Sequence, residues 1–215
     1  MNRALTLVLA LAGAGAAGAA ALPDRAEAAR VVGDYLARHG DFCLGKTDWP
    51  VDISALDARA RGRDVLQMPV LESLGLVHAS DAVALRVEGP ETQEGGQPVP
   101  VAVRRYELTP LGESAMREVE VPVARSEGDV RVRRRDLCAA HLALADVVAV
   151  APGDGPRGFV ATFTYVAQPA AWATSAEFQR VFPMAARVLA GARSAQLKQA
   201  FAWTEGAWHP AGLAN

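Results

Sequence analysis

At 215 residues with a formal net charge of −2, the chain is long enough for one large domain or two small ones. Half of its residues are hydrophobic and a fifth are charged, an ordinary globular balance with no overall pull toward nucleic acid or an anionic membrane surface.

The chain begins like an export leader. Arg3 precedes the apolar run from Ala4 to Leu11, and small residues follow, ending in Ala19-Ala20-Ala21 before Leu22-Pro23. This is the charged, apolar and small-residue order of a secretory signal peptide over residues 1–21. The strongly apolar part is far shorter than the roughly 20 residues of a membrane-spanning helix. No cysteine for lipid attachment ends it, since the first is Cys43. The expected product starts near Leu22 and is free in the periplasm or medium, with no membrane anchor. Removing residues 1–21 leaves 194 of the 215 and, with Arg3 gone, a formal net charge of −3.

Pro23 to His39 reads as a helix, with Ala26, Ala29, Val32 and Leu36 at helical spacing beside Val31 and Tyr35, and with Gly40 as its stop. Asp41 to Pro50 reads as a loop. Asp52 or Ser54 caps a short helix through about Arg61. A further helix runs from about Arg63 to Leu74, interrupted or kinked at Pro69, and Gly75 supplies its left-handed end. A hairpin follows, alternating at Val83, Leu85 and Val87 and again at Val101 and Val103 before Tyr106 and Leu108. Its loop, Glu88 to Pro98, is polar and rich in Gly and Pro. Thr109-Pro110 is a cap followed by a favoured first helical residue.

Helix, helix ending in Leu74-Gly75-Leu76-Val77, hairpin, then Tyr106-Glu107-Leu108-Thr109-Pro110-Leu111-Gly112 resembles a winged-helix unit of bacterial regulators. That resemblance implies a second helix in the DNA major groove and a hairpin loop as the wing. Here the wing carries Glu88, Glu91 and Glu94 with no Lys or Arg, the reverse of what phosphate contact requires. Nucleic-acid binding is therefore not expected, and a cytoplasmic DNA-binding regulator is the weakest alternative.

From Glu118 the pattern turns to strands, with Val119, Val121 and Val123 alternating, then Val130 and Val132. Arg131, Arg133, Arg134 and Arg135 form a basic cluster that reads as the solvated face of an edge strand or, functionally, as an anion or acidic-partner patch. Asp146 to Ala151 is a strand and Pro152 to Pro156 a turn. A second strand from Phe159 to Val166 has Phe159, Ala161, Phe163 and Tyr165 on one face. A helix from about Pro169 or Ala170 to Leu189 is bent or split at Pro183. Strand Ala195 to Thr204, turn Glu205-Gly206 and closing strand Trp208-His209 complete an α+β arrangement with a helix packed on an antiparallel sheet. The expected organisation is a leader over 1–21, a helical, winged-helix-like region over 22–117, and an α+β region over 118–215.

Val160-Ala161-Thr162-Phe163-Thr164-Tyr165, Trp172-Ala173, Phe182-Pro183 and Thr204-Glu205-Gly206-Ala207-Trp208 resemble an uncharacterised family of secreted or envelope proteins of Gram-negative bacteria. The resemblance implies compartment and fold and carries no activity.

Two cysteines in an exported chain read as one disulfide, Cys43–Cys138, closing a loop of about 95 residues. Two buried thiols, or a reactive Cys43, are the alternatives. No His stands at a metal-ligand spacing from another His or from a Cys beyond Cys138-x-x-His141, a pair placed on one helix face. No nucleophile elbow or P-loop is present. Gly153-x-Gly155-x-x-Gly158 lies between two strands and reads as a hairpin turn. No metal and no cofactor are implied. Trp172 and Trp208 remain as walls of a ligand pocket between helix and sheet. The resulting expectation is a non-catalytic periplasmic protein that binds an envelope protein partner or a small apolar ligand. The alternative is an envelope enzyme centred near His39, Cys43 and Asp48.

Overall fold

The computed structural model describes residues 22–87, 98–123, 130–155 and 157–211. The leader over 1–21 and the acidic hairpin loop over 88–97 lie outside the described residues, as does the side chain of Arg131. Among the described residues, no helix is long and apolar enough to cross a membrane.

The fold is α+β. Helix α1 (Arg25–His39) is capped by the Asp24 side chain, which accepts the Glu27 N–H at 2.7 Å, and it buries Ala28, Val31, Val32 and Leu36. The buried stripe thus runs through Ala28 rather than through Ala26. Strand β1 (Asp41–Cys43) follows without a loop, a departure from the expected Asp41–Pro50 loop. Its three residues are too few to show alternation, and their pairing with a distant strand makes them a strand.

Next come β2 (Val51–Ser54), α2 (Ala55–Ala60) and α3 (Arg63–Ser73). Ser54, not Asp52, is the cap of α2, in a reciprocal capping box with Asp57. Pro69 stays inside α3, and Gly75 takes φ +74° just after it. Strands β3 (Val77–Val87) and β4 (Pro98–Leu108) form a hairpin paired along its whole length. With β2 on the far side of β4, they make a three-stranded antiparallel sheet of order β2-β4-β3.

The larger sheet has six antiparallel strands and is organised by one of them. After α4 (Pro110–Ala115) and β5 (Met116–Val123), strand β6 runs 23 residues from Val130 to Pro152. Its first part pairs with β5, its middle with β1, and its last part with β7 (Gly158–Pro169). The expected strand Asp146–Ala151 is only the end of this element. Leu137 to Ala140 are all buried, and a continuous buried run shows no period of two. Cys138 and His141 therefore sit on a strand, not on a helix face.

The helix expected up to Leu189, bent or split at Pro183, is split there, and a 3-10 turn precedes it: the pieces are the turn (Ala171–Thr174), α5 (Ala176–Val181) and α6 (Pro183–Ala190). The break falls at Phe182 (φ −119°, ψ 67°), where Pro183 starts a new helix whose first N–H needs no partner. Strands β8 (Gln196–Thr204) and β9 (Ala207–Ala211) complete the order β1-β6-β7-β8-β9, with β5 also paired to β6.

Two cores result. In one, the inner face of α1 packs on Val147, Phe159, Ala161, Phe163 and Phe201 of the large sheet. In the other, α3, the small sheet and the first part of β6 close over Phe178, Phe182 and Ala185 of α5 and α6.

Candidate functional site

The outer and flanking faces of α1 collect the chemistry. Arg30, Asp34 and Arg38 follow one another at four-residue spacing on the exposed side. Arg30 pairs with Asp34 at 3.3 Å, and Arg38 Nε donates to the Asp34 carbonyl at 3.1 Å. Tyr35 and His39, also four apart, lie ring against ring with centroids 5.1 Å apart. Gly40 then lets the chain pass tightly under β6. A Cβ there would collide with the carbonyl oxygens of Leu142 and Leu36. The Gly40 carbonyl accepts the Leu142 N–H at 2.7 Å. This junction sets Asp41 opposite His141 and Cys43 opposite Cys138. Asp41 Oδ1 lies 2.9 Å from His141 Nδ1, and Cys43 and Cys138 are joined in a disulfide.

A cleft of about 500 Å³ lies beside this junction. Tyr35, Arg38 and His39 form one wall, Asp41 the floor edge, and Glu118 and Glu120 of β5 with Arg133 of β6 the other wall. Glu118 and Glu120 share a cleft because residues two apart on a strand face the same way. Arg133 lies within 3.9 Å of Glu120, a loose pair in an exposed setting. The cleft thus presents both signs of charge beside an aromatic surface.

Arg38 also lines a second cleft, about 310 Å³, on the other flank of α1. Arg30 and Asp34 join it there, facing Trp203, Trp208 and His209 of the β8–β9 hairpin. Trp208 is held in place: its Nε1 donates to Glu27 at 3.0 Å, and its ring meets Phe159 edge-on at 4.8 Å. The Arg157 guanidinium sits 5.0 Å over the Trp203 ring.

A third cleft of about 350 Å³ is mainly apolar and lies between α2, α3 and the small sheet, against Ile53, Val65 and Tyr106. On the other face of the small sheet, Arg105 bonds both Asp52 oxygens at 2.8 Å and holds that carboxyl below its ordinary range, although burial opposes the shift. Asp57 is likewise lowered, chiefly by the Ser54 backbone N–H at 2.8 Å, with Arg86 adding to the effect.

The residues singled out from the sequence are not brought to one place. Trp172 is half-buried on the core under α5, edge-on to Phe178 at 5.2 Å, whereas Trp208 belongs to the α1 core. The expected Trp172–Trp208 pocket is therefore two unrelated positions, because the chain between them crosses from one core to the other. Of the basic cluster, the described side chains of Arg133, Arg134 and Arg135 are spread over both faces of β6, each with a carboxylate within 4 Å. Arg133 faces Glu120, Arg134 lies 3.3 Å from Asp48, and Arg135 lies 2.9 Å from Glu113. Cys43, the nucleophile of the enzyme alternative, has its sulfur in the disulfide. Among the described residues, no group of three or more His, Cys, Asp or Glu side chains is placed to hold a metal ion.

Arg38, Glu118 and Glu120 were not singled out from the sequence; Tyr35 was read only as part of the apolar side of α1, and His39 only within the enzyme alternative. The four-residue ladder on α1 was visible there, but it is also the ordinary pattern of a solvated helix face. No protein-family model matches the chain, and neither a curated protein nor a solved structure does. What defines its class is the fold and the clefts: an α+β protein whose α1 helix lies on a bonded, disulfide-joined sheet and is flanked by two polar–aromatic clefts.

Proposed function

We propose that this protein is a non-catalytic binding protein of the cell envelope, which takes a peptide segment of a protein partner along α1. The observation that carries the reading is the 500 Å³ cleft, where Arg38 and Arg133 are set with Asp41, Glu118 and Glu120 beside the Tyr35 ring. A polypeptide presents both charge signs and apolar side chains at such a spacing, whereas a small apolar ligand would strip water from these charges without replacing it. Work outside the cytoplasm is supported by the leader pattern in residues 1–21 and by the Cys43–Cys138 bond, since disulfides persist in oxidising compartments. Membership of an uncharacterised envelope family remains part of this proposal.

The unit from β2 to β4 we read as winged-helix-like, retained as a scaffold. Its support is the helix–helix–hairpin order with β2 docked on β4. Against DNA binding, α3 spends polar groups within the molecule. Gln67 Nε2 donates to the Val181 carbonyl at 3.2 Å, and Ser73 donates to Glu177 at 3.2 Å.

The test is amide chemical-shift mapping of the purified protein with a library of short peptides of mixed charge. Hits are expected to perturb Tyr35, Arg38, His39 and Glu118, and to lose affinity in Arg38→Ala and Glu118→Ala. Perturbations confined to Ile53, Val65 and Tyr106, or no hits at all, overturn the reading.

A further inference from the structure

We propose that the corner between α2 and α3 is a seat for an anionic lipid surface, where Arg59, Arg61 and Arg63 meet lipid phosphates while Leu56 and Leu66 enter the apolar boundary beneath them.

The local fold leaves this corner with no packing of its own. α2 buries none of its six residues, and residues 58–63 are all exposed. The helix is held by its capping box and by Arg86, which bonds Asp57 at 2.6 Å. Arg61 then takes φ 52° and ψ 40°, the left-handed cap position that glycine ordinarily fills. Gly62 beside it has an ordinary φ of −58°. A glycine thus stands one place late, and an arginine stands where the turn gains nothing from it.

Charge is the second observation. Eight other arginines among the described residues each lie beside a carboxylate. Among those residues, no carboxylate pairs with Arg59, Arg61 or Arg63. The two acids nearest in sequence are engaged elsewhere, Asp57 by Arg86 and Asp64 by Lys46. Three cations within five residues are therefore unneutralised by described side chains, in a chain whose net charge is −2. Their pull on an anionic surface is local and works against the overall charge.

Apolar side chains accompany the arginines. Leu56 is 69% exposed and Leu66 is 59% exposed. Leu56 precedes Arg59 by three residues and Leu66 follows Arg63 by three, so each leucine shares a helix face with an arginine. Between the two helices, Ala58, Val65 and Pro69 line the mainly apolar third cleft. A single exposed leucine is ordinary. Two leucines flanking unpaired arginines have the composition of an interfacial segment, in which apolar side chains enter the headgroup layer and guanidiniums stay at phosphate depth.

That combination selects lipid as the occupant. The phosphates of a nucleic acid would reward the arginines and leave both leucines in water. An acidic protein would need a fixed recess to receive six consecutive exposed residues, whereas a fluid headgroup layer yields around them.

The test is cosedimentation of the purified protein with vesicles of phosphatidylcholine alone, and of phosphatidylcholine and phosphatidylglycerol in equal parts, at low and physiological salt. Binding is expected only with phosphatidylglycerol and should weaken as salt rises. Near an anionic surface each arginine contributes about fivefold, so Arg59→Ser/Arg61→Ser/Arg63→Ser should weaken binding roughly a hundredfold. Leu56→Ser/Leu66→Ser should weaken it roughly tenfold. Arg25→Ser/Arg134→Ser/Arg135→Ser makes the same change of net charge at paired arginines and should bind like the wild type. A wild type indifferent to phosphatidylglycerol overturns the proposal, whether the corner then meets water or an acidic protein. So does a control triple that loses as much as the corner triple, or a leucine variant that binds like the wild type. Capture by duplex DNA that equals or exceeds capture by the vesicles overturns it too. Should a variant fail to fold by circular dichroism, amide hydrogen exchange over residues 59–63 unchanged by phosphatidylglycerol vesicles in the wild type refutes the proposal without it.

Discussion

Removing the Cys43–Cys138 bond by a Cys43→Ala/Cys138→Ala double substitution should destabilise the protein through its unfolded state while leaving the fold in place. The bond joins residues 95 positions apart. In the chain-entropy description, opening a loop of that length costs about 4–5 kcal/mol. The folded chain keeps the neighbouring ties between β1 and β6. Leu44 N–H still donates to Leu137 at 2.9 Å, and Leu142 N–H to Gly40 at 2.7 Å. The buried Asp136 carboxylate still accepts the Gly45 and Lys46 N–H groups at 2.9 and 2.6 Å. The variant is therefore expected to retain its circular dichroism in buffer. In urea titrations followed by tryptophan fluorescence, a slope of about 2 kcal/mol/M converts the loss into a midpoint lowered by about 2 M. Reduced wild type should fall by the same amount. A drop below about 0.5 M would mean that the 95-residue loop is already closed in the unfolded ensemble and that the entropic reasoning fails here.

Phe163 is 2% exposed in the core beneath α1, and Phe163→Ala is expected to cost about 3–5 kcal/mol in the same titration; a cost under about 1 kcal/mol would show that α1 does not close that core. Acid should act on the small sheet first. Asp52 and Asp57 both have lowered folded carboxyl values. Their stabilisation is present above the ordinary carboxylate range and is lost as pH falls through the lower folded values. The urea midpoint should thus decline between about pH 5 and pH 2, and decline less in Arg105→Gln; equal slopes in the two proteins would remove Arg105 as the cause.

Local structure was legible wherever a short segment states its own burial. Phe159, Ala161, Phe163 and Tyr165 alternate in the sequence and are all buried on β7. Ser54 caps α2 and Gly75 adopts the left-handed turn for reasons confined to a few neighbouring residues. The pairing of Cys43 with Cys138 was legible for a different reason: an oxidised chain with two cysteines has one intramolecular choice.

What failed to show was whatever depends on a distant segment. A break was readable at both Pro69 and Pro183, yet α3 continues through the first and only the second starts a new helix. β1 is a strand only because β6 lies beside it. Trp172 and Trp208 looked like one site and occupy two cores, while Arg38 and Glu118, unremarked in sequence, line the same cleft. Periodicity and capping by themselves determined the inward face of β7, the cap of α2 and the turn at Gly75. They carry no label for what those residues meet, because any apolar face satisfies the hydrophobic effect about equally well. That choice belongs to the tertiary structure, in which a single 23-residue strand gathers β5, β1 and β7 and so sets α1 beside the cleft at β5.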